Sequence, residues 1–143
     1  MSTQAILLPL FLEVILTFAL LFWLAPLRNH DLSAGVARPD NIALREPNWS
    51  PRALQVSYAY SNQFELPVLF YVLTILEYVT HNAGILFVVL AWIFVLFRYL
   101  QAYIHVTSNK VHLRGAFFGV AAVTLAIMWL IYIFDVLTVS PQL

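Results

Sequence analysis

The residues best suited to chemistry lie in the stretch YSNQFELPVLFY, which interrupts an otherwise apolar sequence. Tyr58 lies two positions before this stretch. Tyr58, Asn62 and Glu65 are spaced i, i+4 and i+7, and this spacing predicts that they share one face of a helix. An ionisable residue inside a membrane helix costs about 2.5–3.5 kcal/mol, so such residues are functional candidates. Pro67 has no N–H and its ring clashes with the carbonyl of Gln63, which predicts a kink with a free backbone acceptor.

A second polar set lies in FRYLQAYIHVTSNK, at the end of the third apolar segment. Arg98, Gln101 and His105 are spaced i, i+3 and i+7 and are predicted to share a helical face. Tyr99 and Tyr103 flank this face. If the ends of the second and third segments lie side by side, the two polar faces can meet.

We expect Arg98 and Glu65 to be ion-pair partners, because a buried charge needs an opposite one. The alternative is that these polar side chains only hold helices together, which contributes about 0.6–2 kcal/mol for each contact. The remaining intramembrane carboxylates, Glu13, Glu77 and Asp135, are expected at contacts between helices or at the membrane interface.

The composition indicates an integral membrane protein. Of the 143 residues, 62% are apolar and 10% are charged, the mean hydropathy is +0.85, and a soluble domain carries about 25% charged residues. The net charge of zero gives no basic patch for a nucleic acid. The absence of cysteine excludes disulfides, thiolate metal sites and a protein thiol nucleophile, so any reactive thiol must come from a ligand. The histidines show no metal-ligand spacing, and no metal is expected.

Four apolar segments are each long enough for the roughly 20 helical residues that cross a bilayer: about 5–27, 51–80, 83–106 and 114–139. We therefore expect an all-α, integral membrane four-helix bundle that forms a single domain over residues 1–143. The seven basic residues fall in or beside the loops 28–50 and 107–113. By the positive-inside rule these loops are cytoplasmic, and both termini lie on the opposite side.

Two motifs carry a resemblance over the whole chain: NQFELP, with Asn62, Glu65 and Pro67, and RYLQAY followed by RGAFFG, residues 98–103 and 114–119. They resemble the MAPEG family, the membrane-associated proteins in eicosanoid and glutathione metabolism. The resemblance implies a homotrimer that binds glutathione, as co-substrate, between protomers at the cytoplasmic side. NQFELPVLFY is most similar to a bacterial branch, which implies a bacterial inner membrane.

The resemblance also implies roles for individual residues. Asn62 and Glu65 would bind the backbone and amine of glutathione, and Arg98, Tyr99 and Tyr103 would line the same pocket. Arg114 matches the arginine that stabilises the glutathione thiolate, and an adjacent guanidinium favours a thiolate on physical grounds as well. Two departures bear on this site: Tyr58 stands where the family's transferases usually carry an arginine, and Lys110 competes with Arg114.

The expected function is glutathione transfer to a lipophilic electrophile in the membrane, or glutathione-dependent reduction of a lipophilic peroxide. A non-catalytic MAPEG protein that binds lipid or regulates partners is the alternative, and Tyr58 favours it. A small multidrug transporter is a third class, because Glu13 is a membrane carboxylate of the kind on which such exchangers depend. The long first loop argues against the transporter.

Overall fold

A computed structural model describes residues 1–139, and all regular structure in that range is helical. The six α-helices, in chain order, are α1 (Thr3–Ser33), α2 (Pro39–Ile42), α3 (Pro51–Ser61), α4 (Leu66–Val79), α5 (Ile85–Val106) and α6 (Val111–Thr138). A single 3-10 turn, Asn62–Phe64, lies between α3 and α4.

Three helices, α1, α5 and α6, are long and apolar enough to cross a membrane. The protein is therefore an integral membrane protein. The second apolar segment, predicted over 51–80 with a kink at Pro67, consists of two helices, because α3 ends at Ser61 and α4 begins only at Leu66. The first helix runs on to Ser33, beyond the predicted end of its segment.

Polar residues in the left-handed region end two of these helices. His81, with φ of 54°, follows α4, and the N–H of Asn82 then donates to the carbonyl of Glu77 at 3.0 Å. Asn109, with φ of 51°, follows α5 and donates from its backbone to Ile104 at 2.7 Å. These bonds satisfy carbonyls that a helix end leaves without partners.

The first loop is tied to the bundle at the end of α1. Asp31 is buried, and its Oδ2 accepts from the backbone N–H of Ser50 at 2.9 Å. Ser50 in turn caps α3, since its hydroxyl accepts from the N–H of Ala53 at 3.4 Å. The start of α3 is therefore fixed against α1, and this sets the position of the second segment.

The core consists of two apolar clusters. The larger is built from α1, α4, α5 and α6: Ile6, Phe70, Leu73, Phe87, Ala91, Phe94, Val95, Ala121, Leu125, Met128 and Tyr132. The smaller is built from α1, α3 and α5: Leu16, Leu20, Leu24, Val56, Ala59, Ala102 and Val106. On α1 and α5, buried charged residues separate the positions of the two clusters: Glu13 lies between Ile6 and Leu16, and Arg98 between Val95 and Ala102.

Candidate functional site

The break in the second segment spans residues 62–65. Glu65 has φ of −100° and ψ of −108°, outside the helical region, and Pro67 cannot donate a backbone hydrogen bond. The carbonyl of Asn62, at the start of the break, accepts from the N–H of Glu65 at 3.3 Å and from Arg98 Nη2 at 2.9 Å. The sequence predicted a kink at Pro67, and the break lies directly before that proline.

The break separates a buried residue from an exposed one. The α-helix ends at Ser61, so Asn62 and Glu65 follow Tyr58 through a 3-10 turn and not along one continuous α-helix. Gln63 turns inward and is buried, whereas Glu65 turns outward and is exposed.

Arg98 is 1% exposed and is surrounded by polar groups of its own chain. Its Nη1 donates to Gln101 Oε1 at 2.6 Å, and its Nε lies 3.6 Å from Glu13 Oε1. The predicted ion pair with Glu65 is therefore wrong: within residues 1–139, the carboxylate that pairs with Arg98 is that of Glu13. The physical reason is that α1 packs against α5, while the break turns Glu65 away.

Gln63 completes this buried group, which we call the polar layer: Glu13, Gln63, Arg98 and Gln101. With its amide nitrogen facing α1, Gln63 donates to Glu13 Oε1 at 2.9 Å and to Thr17 Oγ1 at 3.1 Å. Its oxygen then accepts from Arg98 Nη2 at 3.1 Å. The polar layer thus joins α1, the break and α5 through charged or charge-assisted contacts.

The face predicted for Arg98, Gln101 and His105 is confirmed, since all three side chains are buried. Tyr99 is half-buried, and its hydroxyl donates to the carbonyl of Leu12 on α1. Tyr103, one turn further along α5, is 64% exposed. The two flanking tyrosines therefore differ, because the Tyr99 hydroxyl is bonded within the chain and the Tyr103 side chain is exposed.

Arg114 lies in the first turns of α6 and is half-buried. Its Nη1 donates to Asn109 Oδ1 at 2.6 Å, in the loop between α5 and α6. Among residues 1–139, no hydrogen bond or ion pair joins Arg114 to Asn62, Glu65 or Tyr103. A single chain therefore brings Arg98 onto the Asn62 backbone, but it does not connect Arg114 to the break.

A cavity of about 450 Å³ lies beside the break, between the end of α1, the first loop and α3. Arg28, Arg45, Tyr58 and Ser61 are among its lining residues. Arg28 Nη2 donates to the hydroxyl of Ser57 at 2.9 Å, so α1 supplies a guanidinium next to Tyr58.

Sequence reasoning missed two contributions from α1. The sequence predicts a contact between helices or an interface position for Glu13 without naming Arg98 as its partner, and it identifies Arg28 only as a basic residue at the first loop. No spacing rule links them to residues 62–65, because both contacts are made across different helices. One physical argument could have identified Glu13 from the sequence. Arg98 at membrane depth requires a carboxylate partner, and Glu13 is one of the few carboxylates in the apolar segments.

The comparisons with known proteins give one match. A sequence model described as the MAPEG family matches residues 6–134, which is nearly the whole chain. No curated protein and no solved structure matches it. The matched range includes the break, the polar layer and Arg114, and a match of this extent identifies the chain as a member of the MAPEG family.

Proposed function

We propose that this protein binds glutathione and uses the glutathione thiol against a lipophilic electrophile or peroxide dissolved in the membrane. Family membership supports this function. The observation that carries it is the break at residues 62–65. Asn62 and Glu65 lie there in the middle of an apolar segment, and their side chains are not part of the polar layer.

The exposure of Glu65 supports a site between subunits. Glu65 lies midway between the start of α3 and the end of α4, and it is exposed on a single chain. A carboxylate facing lipid at this depth costs about 2.5–3.5 kcal/mol on insertion scales. A homotrimer in which a neighbouring subunit and the ligand cover Glu65 removes this cost, and we propose that assembly.

The polar groups near the break match the groups of glutathione, a tripeptide with one ammonium and two carboxylates. Glu65 accepts hydrogen bonds from the ammonium, and the Asn62 amide can both donate and accept along the peptide backbone. Arg28 and Arg45, in the cavity beside the break, bind a carboxylate. Arg28 thereby supplies the positive charge that Tyr58 does not.

Arg114 stabilises the thiolate in this proposal. A free cysteine thiol has a pKa of about 8.5, and a neighbouring guanidinium lowers the pKa because it favours the charged form. The N-terminal end of α6 adds the positive end of a helix dipole. In the transfer reaction the thiolate sulfur bonds to an electrophilic carbon, the leaving group takes the bonding electron pair, and the thiol proton goes to water.

Peroxide reduction uses the same thiolate with a different acceptor. Sulfur attacks the terminal peroxide oxygen, the O–O bond breaks, the lipid leaves as an alcohol and the sulfur becomes a sulfenic acid. The thiol of a second glutathione then bonds to that sulfur and displaces the oxygen as water, so two thiols are oxidised to one disulfide for each peroxide reduced.

The three candidate residues of α5 act in different ways. Tyr103, which is exposed on α5, lines the pocket directly. Arg98 acts as a positioning residue, since its guanidinium holds the carbonyl of Asn62 from inside the bundle. Tyr99 holds α5 against α1, since its hydroxyl donates to the carbonyl of Leu12.

A non-catalytic MAPEG protein is the second candidate, and Tyr58 in place of the family's arginine is the feature that favours it. In that case the cavity beside the break would hold a lipid or a regulatory ligand. The transporter is not supported by the geometry, because the Glu13 carboxylate that it would need is committed to Arg98.

The test is to add glutathione to the purified trimer in detergent and record the ultraviolet absorbance of the thiolate, with calorimetry for binding. We expect a thiolate signal in the wild type and its loss in Arg114→Ala, while Lys110→Ala keeps it. Binding without a thiolate would favour the non-catalytic candidate, and no binding at all would overturn the proposal. If the signal survives Arg114→Ala and disappears in Lys110→Ala, then Lys110 has the role assigned to Arg114.

The membrane orientation that we propose places the loops 28–50 and 107–113 in the cytoplasm. The absence of cysteine makes this testable, because Ser2→Cys and Ser108→Cys each introduce the only thiol. We expect a membrane-impermeant maleimide to label Ser2→Cys in intact cells, and to label Ser108→Cys only after permeabilisation. The reverse pattern would invert the orientation.

A further inference from the structure

A second polar cavity lies at the other end of the bundle, away from the basic loops. It has a volume of about 150 Å³ and is lined by residues of α4, α5, α6 and the turn between α4 and α5. Its polar lining residues are two carboxylates and one amide, Glu77, Asp135 and Asn82. No Lys, Arg or His lines it among residues 1–139.

Glu77 points to a missing ligand. The residue is 3% exposed, and its Oε2 has no hydrogen-bond partner within the part of the chain that the structure describes. A buried carboxylate oxygen without a partner is costly. Asp135 lies in the same cavity, and its Oδ2 accepts from Asn82 Nδ2 at 3.4 Å, which leaves the Asn82 oxygen free to accept.

The helix ends make the same cavity favourable for a cation. Glu77 lies in the last turn of α4, which ends at Val79, and Asp135 lies in the last turn of α6, which ends at Thr138. The C-terminal end of a helix carries a partial negative charge that attracts cations. Two carboxylates, each in the last turn of a helix, therefore line one cavity that has no positive side chain from residues 1–139.

The remaining walls select the kind of cation. The other side chains that line the cavity are apolar and suit the alkyl chain of a ligand: Leu86, Phe87, Leu90, Met128 and Ile131. A divalent ion such as Ca²⁺ takes six to eight oxygen ligands, which is more than these three polar residues supply. An ammonium group needs only a few acceptors, and its alkyl chain fits the apolar walls.

We propose that this cavity binds the ammonium group of an amphiphile, with Glu77, Asp135 and the Asn82 oxygen as acceptors. The amphiphile is either the headgroup of an aminophospholipid or a free lipophilic amine. The proposal does not depend on glutathione, because the cavity shares no residue with the site beside the break.

The first experiment measures binding of dodecylammonium to the protein in neutral detergent by calorimetry, with dodecanol as the uncharged probe of equal chain length. We expect saturable binding of the ammonium at least tenfold tighter than that of dodecanol. Glu77→Gln and Asp135→Asn should each weaken ammonium binding tenfold or more, and Asp40→Asn, an exposed carboxylate in the first loop, should not. Equal binding of both probes, or full binding by Glu77→Gln, would overturn the proposal.

A second experiment distinguishes the two sources. Native mass spectrometry of protein from bilayers of mixed phosphatidylethanolamine and phosphatidylglycerol should show retained phosphatidylethanolamine that Glu77→Gln loses, if the ligand is a lipid headgroup. Dodecylammonium binding without a retained lipid would identify a free amine as the ligand. Saturable Ca²⁺ or Mg²⁺ binding that needs Glu77, together with no ammonium binding, would make this a metal site and contradict the proposal.

Discussion

Two buried carboxylates, Glu13 and Glu77, lie in different chemical settings. Glu13 is 0% exposed, and Arg98 lies 3.6 Å from it in the polar layer. Glu77 is nearly as buried, but its neighbours in the cavity are Asp135 and Asn82. Each carboxylate has one oxygen without a hydrogen bond among the described residues, yet only Glu13 has a positive partner there.

The difference suggests two uses of a charge in a membrane protein. Where the chain supplies its own counter-charge, the ion pair is structural, because the polar layer holds α1 and α5 against the break. Where the chain supplies only negative groups, the cost of burial remains until a cation arrives. Substitutions at the two carboxylates and at their neighbours can therefore test whether one is structural and the other a binding site.

Arg98→Met should have the largest effect. It leaves the Glu13 carboxylate buried without a cation, and breaking a buried pair in this way costs about 3–5 kcal/mol. We expect a loss of that size in the free energy of unfolding, measured in mixed micelles with increasing dodecyl sulfate. Arg38→Met, which removes an exposed arginine, should change it by less than about 0.5 kcal/mol.

The double variant Glu13→Leu with Arg98→Met separates charge pairing from packing. It removes both charges, so most of the stability lost in Arg98→Met should return. The coupling between the two positions should be about 2 kcal/mol or more. Additive losses would show that Arg98 stabilises the fold through contacts other than Glu13.

Gln63→Leu should have an intermediate effect. The substitution keeps a buried side chain of similar size but removes the amide that links Glu13, Thr17 and Arg98. Leaving these partners unsatisfied costs about 1–3 kcal/mol. Gln55→Leu, a half-buried position on α3, is the matched control. Equal stability of the two variants would contradict the inclusion of Gln63 in the polar layer.

The sequence was sufficient for the membrane class, for the family and for the buried face of α5. These follow from local properties: composition, segment length, motif types and the spacing of Arg98, Gln101 and His105. It also predicted an irregularity near Pro67, because the missing N–H acts locally.

The sequence was not sufficient for the partners of that irregularity. Arg98 donates to the Asn62 carbonyl from a separate helix, and no spacing within residues 51–80 predicts that contact. Glu13 and Glu65 are both carboxylates in apolar sequence, and only the packing of α1 on α5 assigns Arg98 to the first.

The smallest effect is expected for Glu77→Gln, and this variant distinguishes the two carboxylates most directly. The substitution keeps the shape of the side chain and removes a charge that has no cation partner among residues 1–139, so no attractive pair is lost. In detergent free of amines and amine lipids, the free energy of unfolding should stay within about 0.5 kcal/mol of the wild type or increase. The matched variant Glu13→Gln should instead destabilise by about 3 kcal/mol, because it leaves the buried Arg98 without its counter-charge. Dodecylammonium should then raise the free energy of unfolding of the wild type but not that of Glu77→Gln. The wild type should therefore become the more stable of the two proteins when the ligand is added. If Glu77→Gln costs as much as Glu13→Gln before any ligand is added, Glu77 is structural like Glu13 and the two regions do not differ.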